Sequence, residues 1–169
     1  FLKREVIRAS AIQTVTTTGM IFLILAGTAL FNFFIETSGT TAFLVKAING
    51  LEWNRYAVLI LIVIFYLILG CFMDSLSMIL LTVPTIFPIV KELGFNPIWF
   101  GILIVTVVEI GLITPPVGMN LFILVGVDRT LEIGTVYRGI VPFLLADIVR
   151  VAILVAFPAL ALWLPSHML

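Results

Sequence analysis

The chain has 169 residues, of which 62% are hydrophobic and 11% are charged, and its mean hydropathy is +1.29. Because a soluble domain carries about 25% charged residues, this composition excludes a water-soluble fold and predicts an all-α membrane protein with the lipid bilayer as its solvent. Nine basic and nine acidic residues cancel, which excludes the basic footprint of a nucleic-acid-binding protein.

The first apolar segment covers residues 11 to 35, long enough for one crossing of a ~30 Å hydrocarbon core at ~1.5 Å per residue. Its small and hydroxyl residues allow close helix contacts, so we interpret them as packing residues rather than ligands. In the polar region that follows, Ala42 to Ile48 is too short to span and contains a lysine. We expect an interfacial helix here, with Trp53 and Tyr56 at headgroup level; a plain loop is the alternative.

Two shorter apolar runs follow, residues 57 to 69 and residues 78 to 90, separated by the sequence "GCFMDSLS". Each run is short for a complete crossing, which is typical of a re-entrant hairpin that enters and leaves the bilayer on the same side. Two separate full spans are the alternative, and the distribution of basic residues fits both topologies. Segment length therefore favours a re-entrant hairpin over residues 55–91.

The expected tip of this hairpin contains Gly70, Asp74 and Ser75, while Pro84 and Pro88 should bend the return arm and free backbone carbonyls. A carboxylate at this depth costs about 2.5 to 3.5 kcal/mol on insertion scales, so Asp74 is a candidate cation ligand. Its side chain also suits the N-cap of the following helix, where it would accept hydrogen bonds from free backbone N–H groups. The two roles are compatible.

The apolar segment from residue 98 to residue 127 is interrupted by "EIGLITPPVGMN". Two consecutive prolines remove two backbone donors and move Thr114 out of helical geometry, which predicts two half-helices joined by an unwound segment. Unwound backbone at membrane depth is tolerated only where it is buried in protein or lines a cavity. Carbonyl oxygens from one half then suit a hard cation and the N-terminal end of the other suits an anion, with Thr114 and Asn120 adding polar side chains. A proline kink that serves packing alone is the alternative.

Glu109 lies in the first half-helix, before the break, where it either pairs across a helix interface or titrates. A last span is predicted from residue 140 to residue 164, with Asp147 and Arg150 spaced to pair on one helix face. The single histidine, His167, stands at the C-terminal end, so no Ser–His or Cys–His pair can form within the membrane. The chain is therefore not expected to be an enzyme.

The segments "GCFMDSLSMILLTVPTIFPIVKELGFNPIWFGI" and "EIGLITPPVGMNLFIL" closely resemble the large membrane subunit of tripartite ATP-independent periplasmic (TRAP) transporters, and the resemblance covers nearly the whole chain as the C-terminal half of that subunit. It implies a secondary transporter of the bacterial or archaeal cytoplasmic membrane that imports organic anions, such as C4-dicarboxylates or sialic acids. Na⁺ is the implied coupling ion, and no other cofactor is implied. The implied partners are a small membrane subunit and a periplasmic substrate-binding protein.

The resemblance also implies an elevator-type fold of two inverted repeats, of which this chain would hold one, and it places two sets of binding residues by motif. The cation set is Gly70, Met73, Asp74, Ser75, Thr114, Pro115 and Gly118, and the substrate set is Ser75, Thr114, Pro116 and Asn120. The implied parts are a scaffold-type part over residues 1–54, a transport-type part over 55–128 with the broken helix at 97–128, and a connecting segment with a final transmembrane helix over 129–169.

The chain begins with Phe1 and a short basic segment rather than with methionine, so we expect a piece of a longer polypeptide cut in a cytoplasmic loop. The first repeat would belong to the remainder. The competing hypothesis is a non-transporting membrane scaffold or assembly subunit whose kinks only shape helix packing. Another Na⁺- or H⁺-coupled anion transporter of related architecture is a further alternative.

Overall fold

The computed structural model describes residues 3–50, 52–128 and 130–168; Phe1, on which the expectation of a longer polypeptide partly rests, lies outside them. All regular structure in these ranges is α-helical, which confirms the predicted all-α class. The helices are α1 (Arg4–Thr37), α2 (Thr40–Gly50), α3 (Arg55–Gly70), α4 (Ser75–Glu92), α5 (Pro97–Ile113), α6 (Met119–Val127), α7 (Ile133–Ala156) and α8 (Ala159–Met168).

Three helices in the described part, α1, α4 and α7, are long and apolar enough to cross a membrane. Helices α3 and α5 are also apolar but shorter, at 16 and 17 residues. Helix α4 is longer than the apolar run that predicts it, because it begins at Ser75 under a side-chain cap and continues to Glu92. Helix α3 is thus short, as expected for an arm of the predicted hairpin, whereas α4 is long enough to cross a membrane. The re-entrant arrangement of residues 55–91 stays a prediction.

Helix α5 lies at the centre of the hydrophobic core. Its residues Leu103, Val107 and Val108 are fully buried and belong to one cluster with Tyr66 of α3 and Met78 of α4. A helix that is apolar on all sides is typical of such a central position. Helices α1 and α7, in contrast, are almost entirely exposed within this chain, so lipid or further protein must cover them.

Helices α3 and α5 run parallel to each other. At their starts, the ring of Tyr56 meets the ring of Phe95 edge to face, with 5.8 Å between the ring centroids. At their ends, the backbones of Gly70 and Gly111 are in contact. The C-terminal ends of two helices therefore lie side by side, at the level where the sequence predicts both interruptions.

The end of the chain differs from the predicted span at 140–164. Helix α7 begins earlier, at Ile133, and stops at Ala156, because Pro158 has no N–H to donate to the Leu154 carbonyl. The indole N–H of Trp99 donates to that carbonyl instead, at 2.8 Å, and so joins α5 to α7. The prediction of one continuous last span is thus wrong in its bounds, and a short helix α8 follows the break.

Two smaller predictions concern local pairs. Asp147 and Arg150 form the predicted ion pair on α7, at 2.9 Å. The region after α1 is helical, so the plain-loop alternative is wrong, and Asn49 of α2 donates to Glu92 at the end of α4, at 3.0 Å. The headgroup-level position of α2 and of Trp53 stays a prediction.

Candidate ion and substrate site

The segment Cys71–Asp74 joins α3 to α4, and the side chain of Asp74 caps α4. An Asp74 carboxylate oxygen accepts a hydrogen bond from the backbone N–H of Ser77, at 2.9 Å. This confirms the interpretation of Asp74 as an N-cap, which satisfies a free donor and places negative charge at the positive end of the helix.

Two glycines bring this tip against α5. A Cβ atom built on Gly70 would lie 2.8 Å from the Gly111 Cα, and one built on Gly111 would lie 2.7 Å from the Gly70 Cα. Only hydrogen atoms fit between the two backbones, so these positions require glycine. Gly70 belongs to the predicted site, whereas Gly111 does not; its partner lies on another helix and could not be identified from spacing alone.

Just beyond the glycine contact, the tip reaches the helix break. The Cys71 sulfur lies 3.6 Å from the backbone carbonyl oxygen of Thr114 and 3.3 Å from the Leu67 carbonyl oxygen of its own helix, so its single proton can be donated to either. Residues 43 positions apart are thus in contact. The structure therefore brings the two predicted interruptions together.

The break itself has the predicted unwound backbone. Helix α5 ends as Thr114 turns to an extended conformation (φ −85°, ψ 127°), and α6 starts after Gly118 in the left-handed region (φ 52°). The peptide bond between Pro115 and Pro116 is cis. The Thr114 hydroxyl donates back to the Ile110 carbonyl, at 2.6 Å, so its single proton is already used within α5. Its lone pairs are the part of the group left for a ligand.

Sequence reasoning missed Tyr137, whose hydroxyl donates to the Pro116 carbonyl, at 2.6 Å. Tyr137 lies in the second turn of α7, 21 residues from its partner. It connects the break to the final membrane helix and holds one of the freed carbonyls in place. A tyrosine near a helix start carries no local signal for this role, because the acceptor lies on another element.

The predicted site residues differ in their surroundings. Gly70 and Gly118 are buried, whereas Pro116 and Asn120 are exposed. The rest are half-buried, namely Met73, Asp74, Ser75, Thr114 and Pro115. The Met73 side chain packs against the hydrophobic core, so any part that it takes in a cation site would involve its backbone. Asn120 makes no side-chain hydrogen bond with the described part of the chain.

The electrostatics of this place follow from helix ends. Each helix C-terminus carries about half a negative charge and exposes carbonyls without intrahelical partners, and here the ends of α3 and α5 lie beside each other. The N-terminus of α4 is neutralised by Asp74, whereas Gly118 has no side chain with which to cap α6. The arrangement thus offers carbonyl oxygens to a cation and free backbone N–H groups to an anion.

Comparison with known proteins gives a consistent result. Residues 2–160 match the family described as "Tripartite ATP-independent periplasmic transporter, DctM component". The C4-dicarboxylate TRAP transporter large permease protein DctM of Pseudomonas aeruginosa is 36% identical over 147 residues, 87% of this chain and 34% of that protein. The sialic acid TRAP transporter large permease protein SiaM of Vibrio cholerae is 31% identical over 154 residues, 91% of this chain and 36% of that protein.

A second C4-dicarboxylate large permease, DctM of Rhodobacter capsulatus, is 31% identical over 157 residues, 92% of this chain and 35% of that protein. The chain therefore spans about a third of the length of the curated relatives that it matches. The family is one of transporters rather than enzymes, in agreement with the sequence-based expectation. This chain belongs to the family of DctM components, the large permease subunits of TRAP transporters.

Proposed function

We propose that the chain lies within the C-terminal half of a large permease that imports a small organic anion together with Na⁺. The observation that supports it best is the pairing of the α3 and α5 C-terminal ends through Gly70 and Gly111. Two negative helix ends and the carbonyls of an unwound segment, at membrane depth, favour a hard monovalent cation. Unwound backbone at membrane depth is tolerated only where it is buried in protein or lines a cavity, and a cation site would use the carbonyls that it exposes.

The cation would bind between the tip and the break. Backbone carbonyls near Gly70, Met73, Thr114 and Pro115 are the proposed ligands, since Na⁺ prefers oxygen donors and the Asp74 carboxylate is already engaged as a cap. Ser75 and Gly118 belong to the same proposed shell. Asp74 then acts by orienting the tip and by adding negative charge close to the ion.

The anion would bind on the other side of the break, at the start of α6. Its backbone N–H groups lack a side-chain cap from Gly118, and Asn120 in the first turn is exposed, with no side-chain hydrogen bond to the described residues. These backbone N–H groups and the Asn120 side chain would hold a carboxylate of the anion. Ser75, Thr114 and Pro116 complete the proposed substrate site. The DctM relatives are named for C4-dicarboxylates and SiaM for sialic acid, both of which carry carboxylates.

The remaining features of the proposal concern the whole transporter. Residues 55–91 would form a re-entrant hairpin, and with the broken helix over 97–128 they would make the moving part of an elevator. Residues 1–54 would be the scaffold part, and residues 129–169 the connection and final span. The permease would lie in the bacterial or archaeal cytoplasmic membrane, with an inverted first repeat, a small membrane subunit and a periplasmic binding protein as partners.

The test is uptake of a labelled dicarboxylate or sialic acid by the complete complex in proteoliposomes, with the inward Na⁺ gradient either present or replaced by K⁺. We expect uptake only with the Na⁺ gradient. Uptake that ignores Na⁺ would refute the coupling ion. Saturable binding of Na⁺ or of the anion would exclude a pure scaffold, whereas the absence of such binding in the complete complex would favour it.

Two variants of Asp74 distinguish its roles. Asparagine caps helices about as well as aspartate but carries no charge, whereas alanine has neither a capping side chain nor a charge. If carbonyls are the main ligands, Asp74→Asn keeps Na⁺-driven uptake within a fewfold of the wild type, and Asp74→Ala loses about 1 kcal/mol of stability with the cap. If Na⁺-driven uptake is abolished by Asp74→Asn while the complex stays folded, the carboxylate is a direct ligand.

A further inference from the structure

Pro84 frees a backbone carbonyl of α4 at the interface of α1 and α4. Pro84 lies four residues after Leu80 in α4 and has no N–H, so the Leu80 carbonyl loses its helical partner. The side-chain amide of Asn32, on α1, donates to this carbonyl at 3.0 Å. The two residues are 48 positions apart. This pair confirms the expectation that a proline in α4 frees a carbonyl.

The bond to Leu80 is the only hydrogen bond that the Asn32 side chain makes with the described residues. Its amide oxygen is buried and has no hydrogen-bond partner among the described residues. Its neighbour one turn earlier, Thr28, satisfies its hydroxyl on its own helix, at the Leu25 carbonyl. An amide inside a membrane helix is costly unless it is paired, and the bond to Leu80 pairs its NH2 group.

The packing next to this bond is open. A cavity of about 720 Å³ lies between α1, α2 and α4, and its lining includes Asn32, Pro84, Pro88 and the polar residues Lys46 and Glu92. A single directional bond at the edge of open space can form and break without rearranging a core.

We propose that Asn32 is a positioning residue for transport: its amide supplies the donor that Pro84 withholds from Leu80 and ties α4 to α1 in one conformation of the permease. The inference rests on the proposed function, in which α1 belongs to the scaffold and α4 to the moving part. In the conformation described here the ends of α3 and α5 are assembled, so this bond favours the state that is competent to bind the cation. Its loss depopulates that state.

The test is a double-mutant cycle in the complete transporter complex. Asn32→Leu removes the donor, Pro84→Ala restores an N–H that can satisfy Leu80 within α4, and the double variant combines them. Pro88→Ala is the matched control, because it removes a proline from the same helix without supplying the N–H that Leu80 lacks. Thr41→Val is the second control, because it changes the lining of the same cavity and leaves the Leu80 carbonyl paired.

We expect Asn32→Leu to raise the Na⁺ concentration for half-maximal uptake about two- to tenfold, the range that corresponds to one net hydrogen bond. Adding Pro84→Ala or Pro88→Ala should leave it raised, because neither variant restores the tie between α4 and α1. The inference is overturned if only the amount of folded complex changes, or if half-saturation stays the same or falls in Asn32→Leu. It is also overturned if Pro84→Ala, unlike Pro88→Ala, returns half-saturation to the wild-type value, because Asn32 would then only satisfy a carbonyl. Wild-type uptake that ignores Na⁺ would refute the coupling ion alone, and the cycle would then be measured by half-saturation for the transported anion.

Discussion

The contact between Gly70 and Gly111 makes the sharpest prediction about this protein. The substitution is Gly111→Ala, with Gly101→Ala as its control. A Cβ atom built on Gly111 lies 2.7 Å from the Gly70 Cα and 3.1 Å from its carbonyl carbon, and all of these are backbone atoms that cannot rotate away. A Cβ atom built on Gly101 meets no described atom within 4 Å. Both glycines lie in α5.

The magnitude follows from this geometry. Ordinary carbon–carbon contacts are about 3.5 to 4.0 Å, so α3 and α5 must separate by roughly 1 Å at Gly111. Overpacking of this kind costs about 1 to 3 kcal/mol. Replacing a helical glycine by alanine gains about 1 kcal/mol of helix propensity, but this gain is the same in both variants. The difference between them is therefore the steric effect alone.

Thermal unfolding of the purified complex measures stability, and Na⁺-driven uptake measures the site. We expect Gly111→Ala to have a lower midpoint than Gly101→Ala by several degrees, with a loss of Na⁺-driven uptake, because the Cys71–Thr114 contact lies immediately beyond the glycines. Gly101→Ala should match or exceed the wild type. Equal midpoints and equal uptake in the two variants would show that α3 and α5 do not touch at this point. The contact that brings the two parts of the candidate site together would then be refuted.

Three further predictions concern single polar contacts. Tyr137→Phe removes the hydroxyl that holds the backbone of the helix break, so half-saturation for Na⁺ should rise up to about tenfold, the equivalent of one hydrogen bond, with unchanged unfolding; an unaltered half-saturation would exclude this role. Trp99 is 2% exposed, so Trp99→Phe should lower the unfolding midpoint by leaving a carbonyl of α7 unpaired, whereas Trp163→Phe, at a residue 64% exposed, should not. Hydrogen bonds from the hydroxyl and backbone N–H of Thr130 lower the pKa of Asp128. The turn after α6 is therefore stabilised at pH values above the ordinary carboxyl pKa of about 3.9, and it loses this stabilisation as the pH falls through the lowered pKa. Hydrogen exchange in that turn, corrected for intrinsic rates, should accelerate on acidification in the wild type but not in Asp128→Ala.

Several local features could be predicted because their causes act over a few residues. Asp74 caps the helix that follows it, and the consecutive prolines end α5 at Thr114. Both effects depend on hydrogen bonds between near neighbours in the sequence. The end of α7 was missed for a related reason: the apolar pattern continues through Pro158, and hydropathy outweighed the missing donor in the prediction.

The partners of the freed carbonyls could not be predicted. Leu80 is paired by Asn32, and Leu154 by Trp99, from helices 48 and 55 residues away. A proline shows that a carbonyl will need a donor, but not which side chain supplies it. That choice depends on how helices pack, which short-range spacing does not encode.

By itself, the sequence determined that this chain is helical, that it lies in a membrane and that its backbone is interrupted at two places. Those properties follow from composition and from the chemistry of proline, glycine and aspartate within one or two helical turns. The tertiary structure alone decided that the two interruptions meet, through the close backbones of Gly70 and Gly111. The physical reason is that two backbones can touch only where both helices lack a side chain at the same level. Gly70 and Gly111 reach the same level only once α3 and α5 lie parallel.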